Sequence, residues 1–396
     1  MKEGWRNKRI DEITNLITDG DWIESRHQSE DGFRLIQTGN IGCGIFKSKD
    51  DKPHYISETT FKELGCTEIF EGDCLISRLP DPVGRSCLIP NIGNRMITAV
   101  DCTILRFKKE IIPSFFVYYT QSNRYSKEIE GNVTGATRKR ISRKNLEKIQ
   151  VPVPPLSEQQ HIVEELDLLS SIIEKKKTQL HELDNMAQSL FYEMFGDPII
   201  NDKGWKVIRL GDKCQVSSFK RVLIEDVVDK GIPFIRGTEL MTLSNGDDVN
   251  FTLFITPGHY EVVKEISGVP IIGDLLIPSI NAKGNIWIVN TEQPRYYKDG
   301  RVLWVHVDSE SYTSETLKYI MSLLIKKTYS VVASGATFAE LKLFVLRDLR
   351  TIIPPISIQQ RFSEGIKDIE RQKGLVKQSI KEVETLFNSR MDYYFN

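Results

Sequence analysis

The sequence writes one segment twice. Residues 151–166 read VPVPPLSEQQHIVEEL and residues 351–366 read TIIPPISIQQRFSEGI. Other landmarks return at the same offset of about 200 residues, a period that is domain-sized rather than solenoid-sized. Gly4-Trp5-Arg6 returns as Gly204-Trp205-Lys206, and LIQTGNI from Leu35 as FIRGTEL from Phe234. Tyr55-Ile56-Ser57 returns as Phe254-Ile255-Thr256, Glu71-Gly72-Asp73 as Ile272-Gly273-Asp274, and Gly135-Ala136-Thr137 as Gly335-Ala336-Thr337. The 396 residues are therefore two diverged copies of one unit.

Each copy has two parts. The first mixes β-rich runs (CLISRL, CTILRF, LLIPSI, NIWIVN, RVLWVHV) with turns and with helix-like stretches near 113–127 and 314–329. That is an α+β globular domain. The second part is helical. The proline pair forces an extended approach. Ser157-x-x-Gln160 and Ser357-x-x-Gln360 then fit a capping box. Beyond it, apolar residues recur at steps of four and three: Ile162, Leu166, Leu169, Ile173, Leu180, Leu183, Ala187, Leu190 and Met194. The second copy has Phe362, Ile366, Ile369, Val376, Ile380, Val383, Phe387 and Tyr394. A mean spacing near 3.5 is the coiled-coil period. Gly196-Asp197-Pro198 supplies a stop to the first helix.

Neither helix can bury its seam alone, so they are expected to bury it on each other. Related units in one chain pack about a pseudo-two-fold axis, as homodimers do, which makes the pair antiparallel. If Ile162 faces Tyr394, then Lys176 faces Ile380 and Lys373 faces Leu183. Those lysines either fix register or reach past the seam to its rim, and their stem length favours the second.

Composition excludes several classes. No apolar run is long enough to span a membrane, and the first residues carry no apolar secretory segment, so a cytoplasmic protein is expected. Cys43, Cys66, Cys74, Cys87, Cys102 and Cys214 contain no C-x-x-C pair, which points to free or buried thiols rather than a metal site. His161 and His181 have no histidine four residues on and read as solvated helix residues. There is no G-x-x-x-x-G-K-S/T phosphate loop. Net charge is −1, so any nucleic-acid role must rest on local patches.

Two variable domains alternating with two similar helices, each introduced by P-P-L/I-S-x-Q-Q, resemble the specificity subunit of Type I restriction–modification systems. The resemblance covers nearly the whole chain. It also rests on G-W near each domain start, the G-D-x-L-I strand and the S/T-G-A-T turn. It implies two target recognition domains, at 1–155 and 201–355, each reading one half of a split DNA site. It implies helices at 156–200 and 356–396 that set the spacing and dock two methyltransferase subunits, with restriction subunits joining that core. The chain would then be no catalyst and would bind no cofactor, S-adenosylmethionine and ATP with magnesium lying on the partners. The N/D-P-P-Y/F tetrapeptide that adenine methyltransferases carry is absent.

Within that frame the basic run RKRISRKNLEK is the first candidate for DNA contact, through Arg138, Lys139, Arg140, Arg143 and Lys144. Gln37, Thr38 and Asn40 occupy a loop able to read base edges, and Arg78 and Arg85 flank the turn-rich LPDPVG. The second copy offers Lys220, Arg221, Arg236 and Thr337, but SGATFAELK replaces TGATRKRIS, so the basic run is not duplicated. Two like modules on one DNA face sit roughly one turn apart, about 10 base pairs, which predicts a bipartite site with a gap of about six, and because the two halves differ in sequence the site should not be palindromic. The competing reading is a coiled-coil scaffold with two protein-binding domains and no DNA role.

Overall fold

The computed structural model describes residues 4–135, 139–281, 283–332 and 340–396. The chain divides into two units, Met1–Lys176 with Ser379–Asn396, and Lys177–Gln378. Each unit holds one α+β domain and about half of each long helix, Leu156–Phe195 and Ile356–Phe395.

In the first unit, strand Arg6–Arg9 pairs antiparallel with Gln150–Val153, Arg6 opposite Val153. The domain's two ends are thereby tied together just before the helix begins. A four-stranded antiparallel sheet follows in the order Thr14–Asp19, Cys102–Phe107, Cys74–Ser77, Ser86–Leu88. A second sheet runs Gln28–Ser29, Tyr55–Ile56, Phe33–Ile36, Met96–Thr98, Glu68–Ile69. Cys74–Ser77 and Phe33–Ile36 are buried at every position, and their polar members are bonded: Arg34 donates to the Ser48 carbonyl at 2.8 Å and Ser77 to that of Leu79 at 3.1 Å. The second unit repeats the plan. Lys206–Arg209 pairs with Arg350–Ile353, and the four-stranded sheet keeps its order as Gln215–Ser218, Val302–His306, Leu275–Pro278, Trp287–Ile288. Its other sheet has the same parallel pair, Ile232–Ile235 beside Tyr296–Tyr297, with Tyr296–Tyr297 now the edge strand.

The helix expected near 113–127 is two helices, Pro113–Tyr119 and Asn123–Asn132. Ser122 caps the second, its hydroxyl accepting the Tyr125 N–H at 3.2 Å. The apolar run at the same place in the second unit lacks such a break, and Ser314–Val332 is continuous.

The recurring motifs are joints. Gly72 (φ 85°) and Gly273 (φ 96°) turn the chain in a region that favours glycine. The next residue, Asp73 or Asp274, closes that turn by accepting the N–H of Phe70 or Ile271, each at 2.9 Å. Each carboxylate is buried and satisfied: Arg106 grips Asp73 at 2.8 and 3.0 Å, while Trp304 and His306 hold Asp274 at 2.8 and 2.9 Å. Trp205 donates its indole N–H to the carbonyl of Phe195 at 2.7 Å, covering the open end of the first long helix.

The capping box is not formed. The helices begin at Leu156 and Ile356, which puts Ser157 and Ser357 inside the first turn, and Gln160 bonds Glu164 instead. The preceding glutamine does the joining. Gln159 is fully buried; its Oε1 accepts the Ile112 N–H at 2.9 Å, and its Nε2 donates to the carbonyls of Glu110 (2.9 Å) and Pro154 (3.0 Å). Gln359 repeats this with the Thr313 N–H (3.0 Å) and the carbonyls of Ser311 (2.9 Å) and Pro354 (2.8 Å). Each amide locks a helix start to its own domain.

The long helices form an antiparallel coiled coil. In the second unit Asp184 meets Lys373, Leu190 meets Gly365 and Phe195 meets Phe362, partner numbers falling as positions rise. In the first unit Glu165 meets Arg390 and Tyr394. Ile162, Leu166, Leu169, Ile173, Leu183, Phe362, Ile366, Ile369 and Val376 are buried. Leu180, Leu190, Ile380, Val383 and Phe387 are half-buried. Lys373 leaves the seam to pair with Asp184 (2.7 Å) and Glu370 (3.0 Å) at its rim.

The Arg390 hydrogen bond holds the Glu165 carboxyl below the usual carboxylate range. A depressed folded-state pKa stabilises above the unfolded value and is lost as pH falls through the folded one. Glu165→Gln should therefore flatten the fall in melting temperature below about pH 4, where free glutamate titrates. The partly exposed pair limits the effect to under about 1 kcal/mol.

Candidate nucleic-acid interface

Residues far apart in sequence meet at one end of the first unit's four-stranded sheet. Strand Cys74–Ser77 leads into Arg78 and a loop of residues 79–85, then returns as Ser86–Leu88. Arg85 spends its guanidinium on four carbonyls: Ile41 (2.7 Å), Thr38 (2.8 Å), Leu79 (2.7 Å) and Pro82 (2.9 Å). It bolts the loop carrying Gln37, Thr38 and Asn40 to loop 79–85. Arg78 is buried beneath, bonded to the Val100 carbonyl and 3.4 Å from Asp19. The basic run is sewn onto the same base. The Ile141 N–H bonds the Arg78 carbonyl at 3.3 Å, Arg140 pairs with Asp101 at 2.9 Å, and Arg143 lies 4.0 Å from Asp19 and 3.3 Å from Glu147.

The structure thus brings the first-unit candidates together and gives them different work. Arg78 and Arg85 hold the loops. Asn40 is buried, its Nδ2 donating to the Lys47 carbonyl (2.8 Å) and its Oδ1 accepting the Gln37 N–H (2.9 Å). Gln37 and Thr38 are half-buried at the rim. Lys139 and Lys144 are exposed and make no ion pair among the described residues. Arg138, and the turn residues Ala136 and Thr137, lie outside the described residues, as does Thr337. A cavity of ≈ 740 Å³ opens between loop 79–85, helix Asn123–Asn132 and Lys139.

In the second unit Lys220 and Arg221 are exposed, while Arg236 is held by Glu239 (3.1 Å). At the equivalent place the buried Asn281 bonds the backbone of Asn285 twice at 2.7 Å. The ion pair beneath it is reversed: Arg301 and Glu340, 3.2 Å apart, stand where the first unit has Asp101 and Arg140.

Sequence reasoning passed over Asp19, Asp101 and Glu340, because their importance lies in partners far along the chain. Burial pushes the thiols of Cys87 and Cys102 up to about 12 and that of Cys66 to about 11, so they stay protonated at neutral pH.

The model of the Type I restriction modification DNA specificity domain matches this chain twice, at residues 2–185 and 202–385. A putative type I restriction enzyme specificity subunit of Haemophilus influenzae is 25% identical over 271 residues, 66% of each chain. The EcoKI specificity subunit of Escherichia coli is 24% identical over 205 residues, 50% of this chain and 43% of its own. The matches thus span about two thirds or less of those two relatives. A putative MjaX specificity subunit of Methanocaldococcus jannaschii is 34% identical over 396 residues, 93% of this chain and 88% of its own. Among solved structures, the S subunit from M. genitalium superposes with a TM-score of 0.58 at 13% identity, covering 98% of this chain and 95% of that one.

Proposed function

Because this chain belongs to the Type I restriction–modification DNA specificity family, we propose that it is the non-catalytic subunit that recognises DNA for such a system. Each α+β domain reads one half of an asymmetric bipartite site. The domains are those expected at 1–155 and 201–355, and the helices set the gap and dock two methyltransferase subunits. Restriction subunits join that assembly. S-adenosylmethionine and ATP with magnesium belong to the partners.

One observation carries the reading most directly. Three loops converge at one end of the first unit and present Lys139 and Lys144 uncommitted beside arginines already used to hold the loops. Exposed lysine amines contact phosphates without reading sequence. The asymmetry between the units supports a non-palindromic site.

The test is DNA binding by the chain assembled with its methyltransferase partners, followed across salt. Each lost phosphate contact lowers the log–log salt slope by about 0.9. Lys139→Ala with Lys144→Ala should therefore reduce it by about 2 and weaken all sequences alike. An assembled complex with no salt-dependent DNA affinity would leave the scaffold reading in its place.

A further inference from the structure

Loop 79–85 ends in a group that does not suit phosphate. Asp81 is exposed at its tip, between Pro80 and Pro82, and its carboxylate has no hydrogen-bonding or ionic partner among the described residues. It stands at the end of the unit where the basic run lies, and it lines the same ≈ 740 Å³ cavity as Lys139. A bare carboxylate there repels the backbone that the lysines attract. It becomes favourable on meeting a hydrogen-bond donor, and the donors that DNA offers in its major groove are the exocyclic amines of cytosine and adenine.

The loop is built to hold that carboxylate in place. Arg85 clamps the carbonyls of Leu79 and Pro82, on either side of Asp81, at 2.7 and 2.9 Å. The Gly84 N–H bonds the Ser77 carbonyl at 2.8 Å, and the Tyr125 hydroxyl donates to the Gly84 carbonyl at 2.9 Å. The prolines fix their own φ. A side chain on so restrained a loop loses little freedom on binding, which is what a specificity contact needs. The equivalent loop of the second unit carries Lys283, with Gly284 standing where the first has Gly84, and no carboxylate. The two units therefore present opposite charge at corresponding tips.

We propose that the Asp81 carboxylate reads one base of the first half-site by accepting a hydrogen bond from an exocyclic amine, that of a cytosine or an adenine, in the major groove. This rests on the DNA-recognition reading above. The amine's proton stays on the base, so the contact needs no further reactant.

The experiment is a methylation map of the host genome in strains carrying the native chain, Asp81→Ala or Asp81→Leu, with melting temperatures of the purified chains. The native chain should produce one bipartite motif. Both variants should keep the gap and the second half-site, while one position of the first half-site loses about 5- to 100-fold of its discrimination. The base required there by the native chain tells cytosine from adenine. An unchanged motif in both variants would overturn the assignment and leave DNA recognition standing. So would loss of all methylation by an Asp81→Leu chain that melts like the native one. Leu keeps the branched shape of Asp and has no acceptor, so it decides the matter if the alanine variant melts early. Absence of any chain-dependent motif in the native strain would instead remove the recognition reading itself.

Discussion

Phe395→Ala should destabilise the first unit by about 3–5 kcal/mol, the usual cost of emptying a buried phenylalanine site. Phe395 lies near the far end of the chain, yet it is 2% exposed in the core built by the first domain. Its ring sits 5.5 Å from Phe115 and 5.9 Å from Tyr119, and Met391 and Tyr394 are buried beside it. The first domain thus completes its core with side chains that come some 280 positions after Phe115, at the end of a helix held by its own coiled-coil seam. Urea unfolding followed by a probe in each unit is the measurement. The first unit's midpoint should fall while the second unit's stays in place. Leu386→Ala, on the exposed side of the same helix, should change either by less than about 0.5 kcal/mol. Equal loss at both probes would mean that the units unfold as one.

Gln159→Ala should cost about 2–5 kcal/mol, because it leaves one buried N–H and two carbonyls without the partner they have now. Gln159→Glu should be at least as damaging. A carboxylate keeps the acceptor for Ile112 but removes the two donors that Glu110 and Pro154 use, and sets negative oxygens against their carbonyls. Gln359 predicts the same pair of results in the second unit. Amide exchange at Ile112 and Thr313 gives a local readout: each N–H should lose protection in the variant of its own unit and keep it in the other. Protection retained in both would assign the repeated glutamines to something other than the joint.

The architecture was legible because it is written in periodicities. The repeat gave two units, the 3.5-residue spacing gave the coil, and the falling partner numbers from Asp184–Lys373 to Phe195–Phe362 agree with the antiparallel alignment expected from Ile162 opposite Tyr394. The family resemblance rested on the same landmarks. What those landmarks do was not legible. Gln159 and Gln160 are chemically identical, and burial alone separates them. Asp73 finds Arg106, while Asp274 finds Trp304 and His306, so one motif closes on two different chemistries. Arg85 looks like a base-reading arginine because a guanidinium offers the same fork to guanine as to protein carbonyls. The break at Ser122 escaped because Tyr118, Tyr125 and Ile129 keep a helical spacing across it.

The reversed ion pair sets a rule for building chimeras. Residues 101 and 140, like 301 and 340, lie on separate segments that meet beneath a loop. A crossover between them would set Arg140 against Arg301, or Asp101 against Glu340. A graft that carries a whole block, from the Gly-Trp landmark to the proline pair, brings both partners along. Such blocks are the pieces that can be traded between relatives, and shorter grafts carry a built-in electrostatic penalty.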